Sequence, residues 1–593
     1  MRRAVRLRLP LLMLAVSIAT SIASAQPAGP PPGMPQGPPR GQGMPPRDRA
    51  AAQTGTALIR GRILASDTGR PLRRARVTAT APELGGEPRT TSTGMDGRYE
   101  LTDLPAGRYS IRVTRSGYLP LTYGQRRPLE QGKPLQVFDK QTMENIDVTL
   151  PRSSVIRGQI IDELSEPVAD VPVFAMRSMY WQGRRRTVPA GPPARTDDSG
   201  EFRLVGLAPG TYYVMANLRE TWTVTENGVQ RTLGYAPTYF PGTASLTDAR
   251  RVTVTVGQDA VNTNFALMPG RAANVSGIVV DSLGRPLVSR NVGLLQEMAG
   301  PGIGLMMMGG NAMTAADGSF VIRNVNPGQY KLRAQTLNDS KTPPVQEVAT
   351  LPITLDGSDI ADIALVTSSG WSISGRLTTE NGGAPDGPRD RFRLAARVVD
   401  VDTSPIPGAG LPPPPPGGGP TIPDSGRVRE DWTFTVANAY GASRLIASLP
   451  DGWSLKTILH DGRDITDVPV EMKSGEELSG VQVIVTNRVT TITGQLADDK
   501  GSPVADGAVL LFADDSSKWS EDSRWVRAVR PDQQGRYEIK GLPAGEYLAV
   551  ALNYIEDGVW NDPDYLESIR RYAQRLTLNE GASQSPALKL VTP

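Results

Sequence analysis

The chain holds one histidine, His460, and no cysteine among its 593 residues. Those two counts remove much of the side-chain chemistry a protein of this length could use. Without cysteine there are no disulfides, thiolate nucleophiles, zinc–thiolate sites or lipoprotein anchor. With one histidine, two-histidine zinc motifs are excluded, and a Ser–His–Asp set could be built only on His460. That residue stands in LKTILHDGRD, at a turn after a strand-like run, a surface position. Asp and Glu together number 61, so carboxylate pairs arise by chance and none sits in a distinctive motif. No glycine loop between a strand and a helix offers a phosphate site. We expect no catalytic site, no metal and no cofactor.

What remains is binding. Trp and Tyr rings stack on the flat C–H faces of sugars while polar neighbours take the hydroxyls. Trp519 and Trp525 flank SEDSR, and Trp560 follows. Tyr180 and Trp181 precede the three arginines at 184–186, which read as a local solvated loop. These five aromatics are the candidate contacts for a polysaccharide or an envelope protein. The competing reading has them capping sandwich ends or packing between domains.

The elements that position them are strands. Residues 96–113 read DGRYELTDLPAGRYSIRV. Asp-Gly is a turn pair, since Gly takes φ > 0 without steric cost. Alternating apolar residues then mark a half-buried strand, Leu-Pro-Ala-Gly breaks it, and Tyr109, Ile111 and Val113 mark a second. Gly107 is expected to hold φ > 0 in that break. The stretch recurs at 198–216, 316–334 and 534–552, with a worn copy at 432–458. Its Asp is a turn former; a calcium loop would need several oxygen ligands at fixed spacing.

Each copy is preceded by a strand opening with Gly at its third position: Gly61, Gly158, Gly277, Gly375 and Gly494. The openings are 97, 119, 98 and 119 residues apart, the length of a domain. Glycine there marks a bulge or a close backbone approach. Each unit ends in a further strand, such as ENIDVTL or IADIAL.

The order of Gly-bearing strand, D-x-x-G-x-P turn, D-G-x-Y/F, L-P-A/P-G-x-Y and closing strand resembles carboxypeptidase regulatory-like domains. These are transthyretin-like sandwiches, grouped with a carbohydrate-binding-like fold and common in exported bacterial proteins. The resemblance implies about seven strands per unit in two sheets with a Greek-key layout. It implies no peptidase activity, because the module is an accessory beside the catalytic domain. The fourth unit departs from the pattern: it lacks the Asp-Gly turn, and Asp451-Gly452 replaces Ala/Pro-Gly.

The expected fold is all-β, a tandem array of about five antiparallel Greek-key β-sandwiches. They cover 54–151, 152–270, 271–369, 370–488 (with a Pro/Gly loop at 404–426) and 489–593. Before them lie a signal peptide, 1–25, and a disordered Pro/Gly-rich linker, 26–53. Four arginines, an apolar run of about 14 residues and Ala23-Ser24-Ala25 predict cleavage between Ala25 and Gln26. The run is short against the ~20 residues of a membrane span. No integral span should remain once it is removed, although an uncleaved signal could hold the chain to a membrane. Losing four arginines turns a formal charge of +3 into about −1, so a nucleic-acid role has no electrostatic basis. The chain should be exported, to the periplasm or the cell surface. It should act by binding, adhesion or spacing, with accessory service to an envelope hydrolase as the alternative. In the fifth unit, 565–574 is a short-helix candidate, with Leu566, Ile569 and Tyr572 on one face. The glycine- and methionine-rich stretch at 300–310 reads as a flexible loop.

Overall fold

The computed structural model describes residues 54–592 apart from 86, 182–183, 301–302, 339–344, 400–425, 499, 505, 521–522 and 533. Within strands the side chains at 181, 184, 226, 297–300, 303–308, 337–338 and 345–346 are also outside the description. The signal with Ala25 and Gln26, the 26–53 linker, and nearly all of the 404–426 loop lie outside the described residues.

The described chain is all-β, in sheets that pair face to face within each repeat. In the first repeat one sheet joins Arg98–Leu104, Ala57–Ala65, Thr142–Met143 and Val148–Leu150. The facing sheet joins Arg89–Ser92, Arg76–Thr80, Gly107–Thr114, Leu121–Thr122 and Leu135–Val137. Gly107–Thr114 alternates strictly between buried and solvent-facing positions. Ile59, Val77, Tyr109, Ile111 and Leu150 are fully buried between the two sheets. Each such aliphatic side chain contributes roughly 1.5–3 kcal/mol by leaving water. The described residues from 54 onward make one compact unit.

Pairing is not wholly antiparallel. The closing strand of each repeat runs parallel to its opening strand, as Val148–Leu150 does beside Ala57–Ala65 and Glu477–Thr486 beside Trp371–Thr379. Parallel neighbours need a long crossover, and the intervening strands of the other sheet supply it. The opening-strand glycine lies under this junction. A Cβ on Gly61, Gly158, Gly277 or Gly375 would sit 2.0, 2.0, 2.1 or 1.9 Å from a carbonyl oxygen of the closing segment. Glycine is required there by close approach, as its recurrence predicts.

The central motif also has a clear cause. Gly97, Gly200, Gly318 and Gly535 of the Asp-Gly-type turns all have φ between 71° and 78°. An Asp caps the first two of these turns: the motif's Asp96 carboxylate accepts from the Arg98 amide at 3.1 Å, and in the second repeat the preceding residue, Asp197, accepts from the Ser199 and Glu201 amides at 3.0 and 2.9 Å. The tyrosine of L-P-x-G-x-Y returns its hydroxyl four residues back. Tyr109 donates to the Pro105 carbonyl at 2.8 Å, Tyr212 to Ala208 at 2.6 Å, Tyr330 to Asn326 at 3.0 Å and Tyr547 to Pro543 at 2.8 Å. Burial pushes the Tyr109 hydroxyl up to about 12. Gly107 differs from expectation, since it is not among the positive-φ glycines. A Cβ there would meet the Glu83 carboxyl carbon at 2.5 Å, the movable end of a flexible side chain, so the position asks less for glycine than the opening-strand sites do.

Two loop expectations are corrected. Arg184–Pro189 is a strand that pairs with Pro172–Trp181, so the arginine run is not a loop. Ile303–Met313 pairs with Asn291–Gly300 as a hairpin. The short helix spans Pro563–Ile569, with Asp562 as N-cap, and passes into a 3-10 turn, Arg570–Tyr572. Asp followed by Pro at the first helical position is a start signal the apolar period alone does not carry. In the fourth repeat, Ser454–His460 joins the opening-strand sheet, leaving Arg393–Val398 paired with Ser443–Ser448.

Candidate functional site

The aromatics of the fifth repeat lie on opposite sides of one sheet. The strand Ala508–Ala513 is buried at all six positions. On its sandwich side Trp525 packs with Val509, Leu511 and Tyr547; on its other side Trp519 packs with Leu510, Phe512, Leu566 and Ile569. Trp519 is 6% and Trp525 9% exposed. The Trp519 ring nitrogen donates to the Ala513 carbonyl at 2.7 Å, and that of Trp525 to Asp467 of the fourth repeat at 3.0 Å. Lys518 covers the Trp525 ring at 3.9 Å. Trp560 is half-buried against the Trp519 cluster. The solvent-facing platform expected of Trp519, Trp525 and Trp560 is therefore not formed. The strand between the two clusters separates Trp525 from Trp519 and Trp560, and the indole N–H groups of Trp519 and Trp525 are spent on protein oxygens. Tyr180 is half-buried on its strand opposite Arg185; Trp181 lies opposite Arg184, and its side chain is outside the described residues.

A site that loop aromatics did not reveal lies where the last repeat meets the first. Arg530 and Glu130 have side chains each 7% exposed. The Arg530 guanidinium donates to the Gln131 carbonyl at 2.6 Å, the Gly124 carbonyl at 2.9 Å and the Glu130 carboxylate at 3.3 Å. The same Glu130 oxygen accepts the Arg126 and Arg127 amides at 2.9 and 3.2 Å. One arginine of the fifth repeat thus organises a loop about 400 residues away. Around it Lys133 meets Asp506 at 3.1 Å, Gln131 donates to Asp557 at 2.9 Å, and Arg127 lies over the Tyr554 ring. Burial pushes the Lys133 ammonium down, and its bond to Asp506 opposes the shift. Burial likewise lowers Arg530, against the attraction of Glu130.

The second repeat joins this junction. Arg177 pairs with Glu556, and Arg185 reaches Asp562 at 2.8 Å. Between the three repeats is a cavity of about 480 Å³, with Arg112, Thr122, Arg177, Tyr212 and Glu556 in its lining. The fourth and fifth repeats share a second ionic cluster. Lys456 and Arg488 bridge Glu380 and Glu580 at 2.7–3.1 Å. The Lys456 bond leads the causes that hold Glu380 down to about 2. His460 ends a strand, half-buried, 3.7 Å from Asp461. Among the described residues no group of three or more His, Asp or Glu could hold a metal ion. No described helix is long and apolar enough to cross a membrane.

Residues 58–151 match the model of the carboxypeptidase regulatory-like domain. Solved structures similar to this chain include a streptococcal ancillary pilin, 13% identical over 52% of this chain and 98% of that one, with a TM-score of 0.18. BcpA, the major pilin subunit of Bacillus cereus, is 10% identical over 52% of this chain and 99% of its own, with a TM-score of 0.13. The RrgB pilus protein of Streptococcus pneumoniae is 11% identical over 74% of this chain and 98% of its own, with a TM-score of 0.14. No curated protein matches the chain.

Proposed function

We propose that this chain, whose residues 58–151 are a carboxypeptidase regulatory-like domain, is a non-catalytic exported protein that binds at the cell envelope as a closed platform of β-sandwich repeats. The observation that carries this reading is the buried Arg530–Glu130 pair, which ties the last repeat to the first. Removing two charges from water costs several kcal/mol per ion unless geometry and further hydrogen bonds offset it. Arg530 has four acceptors, three of them in the first repeat, and Glu130 three donors, so the contact is a built interface with a set register. A protein serving only to hold its ends apart gains nothing from joining them. The chemistry-bearing residues fit the same reading, since the turn aspartates cap turns and the buried indoles and tyrosines pack and hydrogen-bond.

The test is cosedimentation of the purified mature chain with envelope preparations from the producing cells, with peptide and glycoside hydrolase assays on the same sample. Binding without turnover is expected. Turnover of either substrate class overturns the non-catalytic reading and favours service as part of an envelope hydrolase.

A further inference from the structure

We propose that the outer face of the first repeat's Arg76-bearing sheet is a binding surface for an acidic polysaccharide, one carrying carboxylates on its sugar units. This rests on the reading of the chain as an envelope-binding protein. The register defines the face. Arg76 lies between Ser92 and Thr114, and Thr78 between Thr90 and Arg112. Thr80 is opposite Ser110, and Arg112 is opposite Thr122 on its other side. Arg108, on the same strand, faces outward beside Gln136. The outward positions thus hold three arginines among hydroxyl and amide side chains, with no acid and no aliphatic or aromatic residue. All three arginines are exposed, and among the described residues none forms an ion pair.

Thr and Arg on a solvated strand are ordinary in isolation. The comparison between repeats gives them meaning. The corresponding face of the fifth repeat is Leu510, Phe512, Leu548 and Val550, covered by its helix. That of the second is Phe174, Met176 and Met215, with Tyr213 and Tyr239 beside them. Only in the first of these three is the face cationic and open. It also leads somewhere, because Arg112 and Thr122 line the 480 Å³ cavity at the junction with the second and fifth repeats. The acids in that lining are engaged: Glu130 by Arg530, Glu556 by Arg177 and Asp557 by Gln131.

The chemistry selects the ligand. A guanidinium fork matches a planar carboxylate through two parallel hydrogen bonds. Thr and Ser hydroxyls both donate and accept, as sugar hydroxyls require. Arg108 and Arg112 are four residues apart along one strand, about 13 Å. Arg76 and Arg112 are diagonal neighbours on adjacent strands, about 7–8 Å apart. Charges at such intervals suit a polymer with repeated carboxylates. Within the paired strands a lipid surface would gain no inserted side chain, and single-stranded nucleic acid would find no ring to stack on.

The probe is polygalacturonate, titrated into the full mature chain, with dextran as neutral control and phosphatidylglycerol vesicles as the lipid arm. Polygalacturonate should bind, dextran should not, and affinity should fall between about 0.05 and about 0.3 M salt as screening grows. The variant R76T/R108T/R112T keeps strand-forming residues and should lose roughly tenfold or more in affinity, since three charge contacts are removed. Its melting temperature should match the parent. The triple lysine variant should keep the salt dependence and bind at an intermediate level. Absence of polygalacturonate binding at the lower salt, unchanged binding by the threonine variant, or equal binding to the vesicles overturns the proposal. If the parent still cosediments with envelope material, only this surface assignment falls. If it does not, the platform reading falls with it.

Discussion

Strands Gly107–Thr114 and Gly545–Leu552 hold the same place in the first and fifth repeats, and they bury differently. GRYSIRVT alternates; GEYLAVAL is buried at six consecutive positions. Both carry Tyr109 or Tyr547 with its hydroxyl bonded four residues back, so the inner face is the same device. The outer faces diverge because the fifth repeat has a helix and Trp519 to cover Leu548 and Val550, whereas the first leaves Arg108 and Arg112 in water. A sandwich needs one buried face per sheet. The other face is free to become either a second core or an open surface, and this chain uses both options.

The largest effects should come from breaking the covered face. Phe512→Ala, at a fully buried position, should cost about 3–5 kcal/mol in urea unfolding. Thr78→Ala, outward on the first repeat, should stay within about 0.5 kcal/mol. Equal losses at the two sites would abolish the distinction.

The junction between these repeats comes next. Arg530→Ala strands Glu130 and should cost about 3–5 kcal/mol, whereas Arg530→Met with Glu130→Leu should recover most of it. Because the chain has no cysteine, Gln131→Cys with Asp557→Cys gives a clean reporter. A short bismaleimide should join the two within one chain, and Arg530→Ala should reduce the yield. A cross-link found only between chains would contradict closure.

A smaller change tests the covering residue. Trp519→Phe keeps a ring against Phe512 but loses the bond to the Ala513 carbonyl, and should cost about 1 kcal/mol. Thermal melting reads it. An unchanged midpoint would show that the indole nitrogen contributes nothing to the cover.

The smallest effect is at the turns both repeats share in kind. In the second repeat's copy, the Ser199 hydroxyl and then the Glu201 amide hold the Asp197 carboxyl below the usual carboxylate range. A lowered folded value means the stabilisation is fully present above the unfolded carboxylate pKa, about 3.9. It is lost as pH falls through the folded value. Asp197→Asn should therefore flatten the acid limb of the unfolding-midpoint curve slightly. An identical acid limb would show that the turn carboxylate is not linked to folding.

Much of this was legible beforehand, for physical reasons visible in single residues. Period-two alternation, Asp-Gly turns and the spaced glycines are local consequences of pleat, positive φ and close approach, so each strand–turn–strand unit could be read directly. Asp562-Pro563 would have placed the helix start. The ArgArgArg strand could not be read as one, because its partner, Pro172–Trp181, supplies the pairing that overrides a polar composition.

Composition and short-range stereochemistry need no partner, and they suffice for an all-β chain of repeated units without cysteine or paired histidines. Tertiary structure alone decided which rings are buried, which outer face stays open, and that Arg530 meets Glu130. Those outcomes depend on residues hundreds of positions apart arriving at one place. No local period records that meeting, and a tryptophan on a polar loop has the same sequence signature whether solvent or a helix covers it.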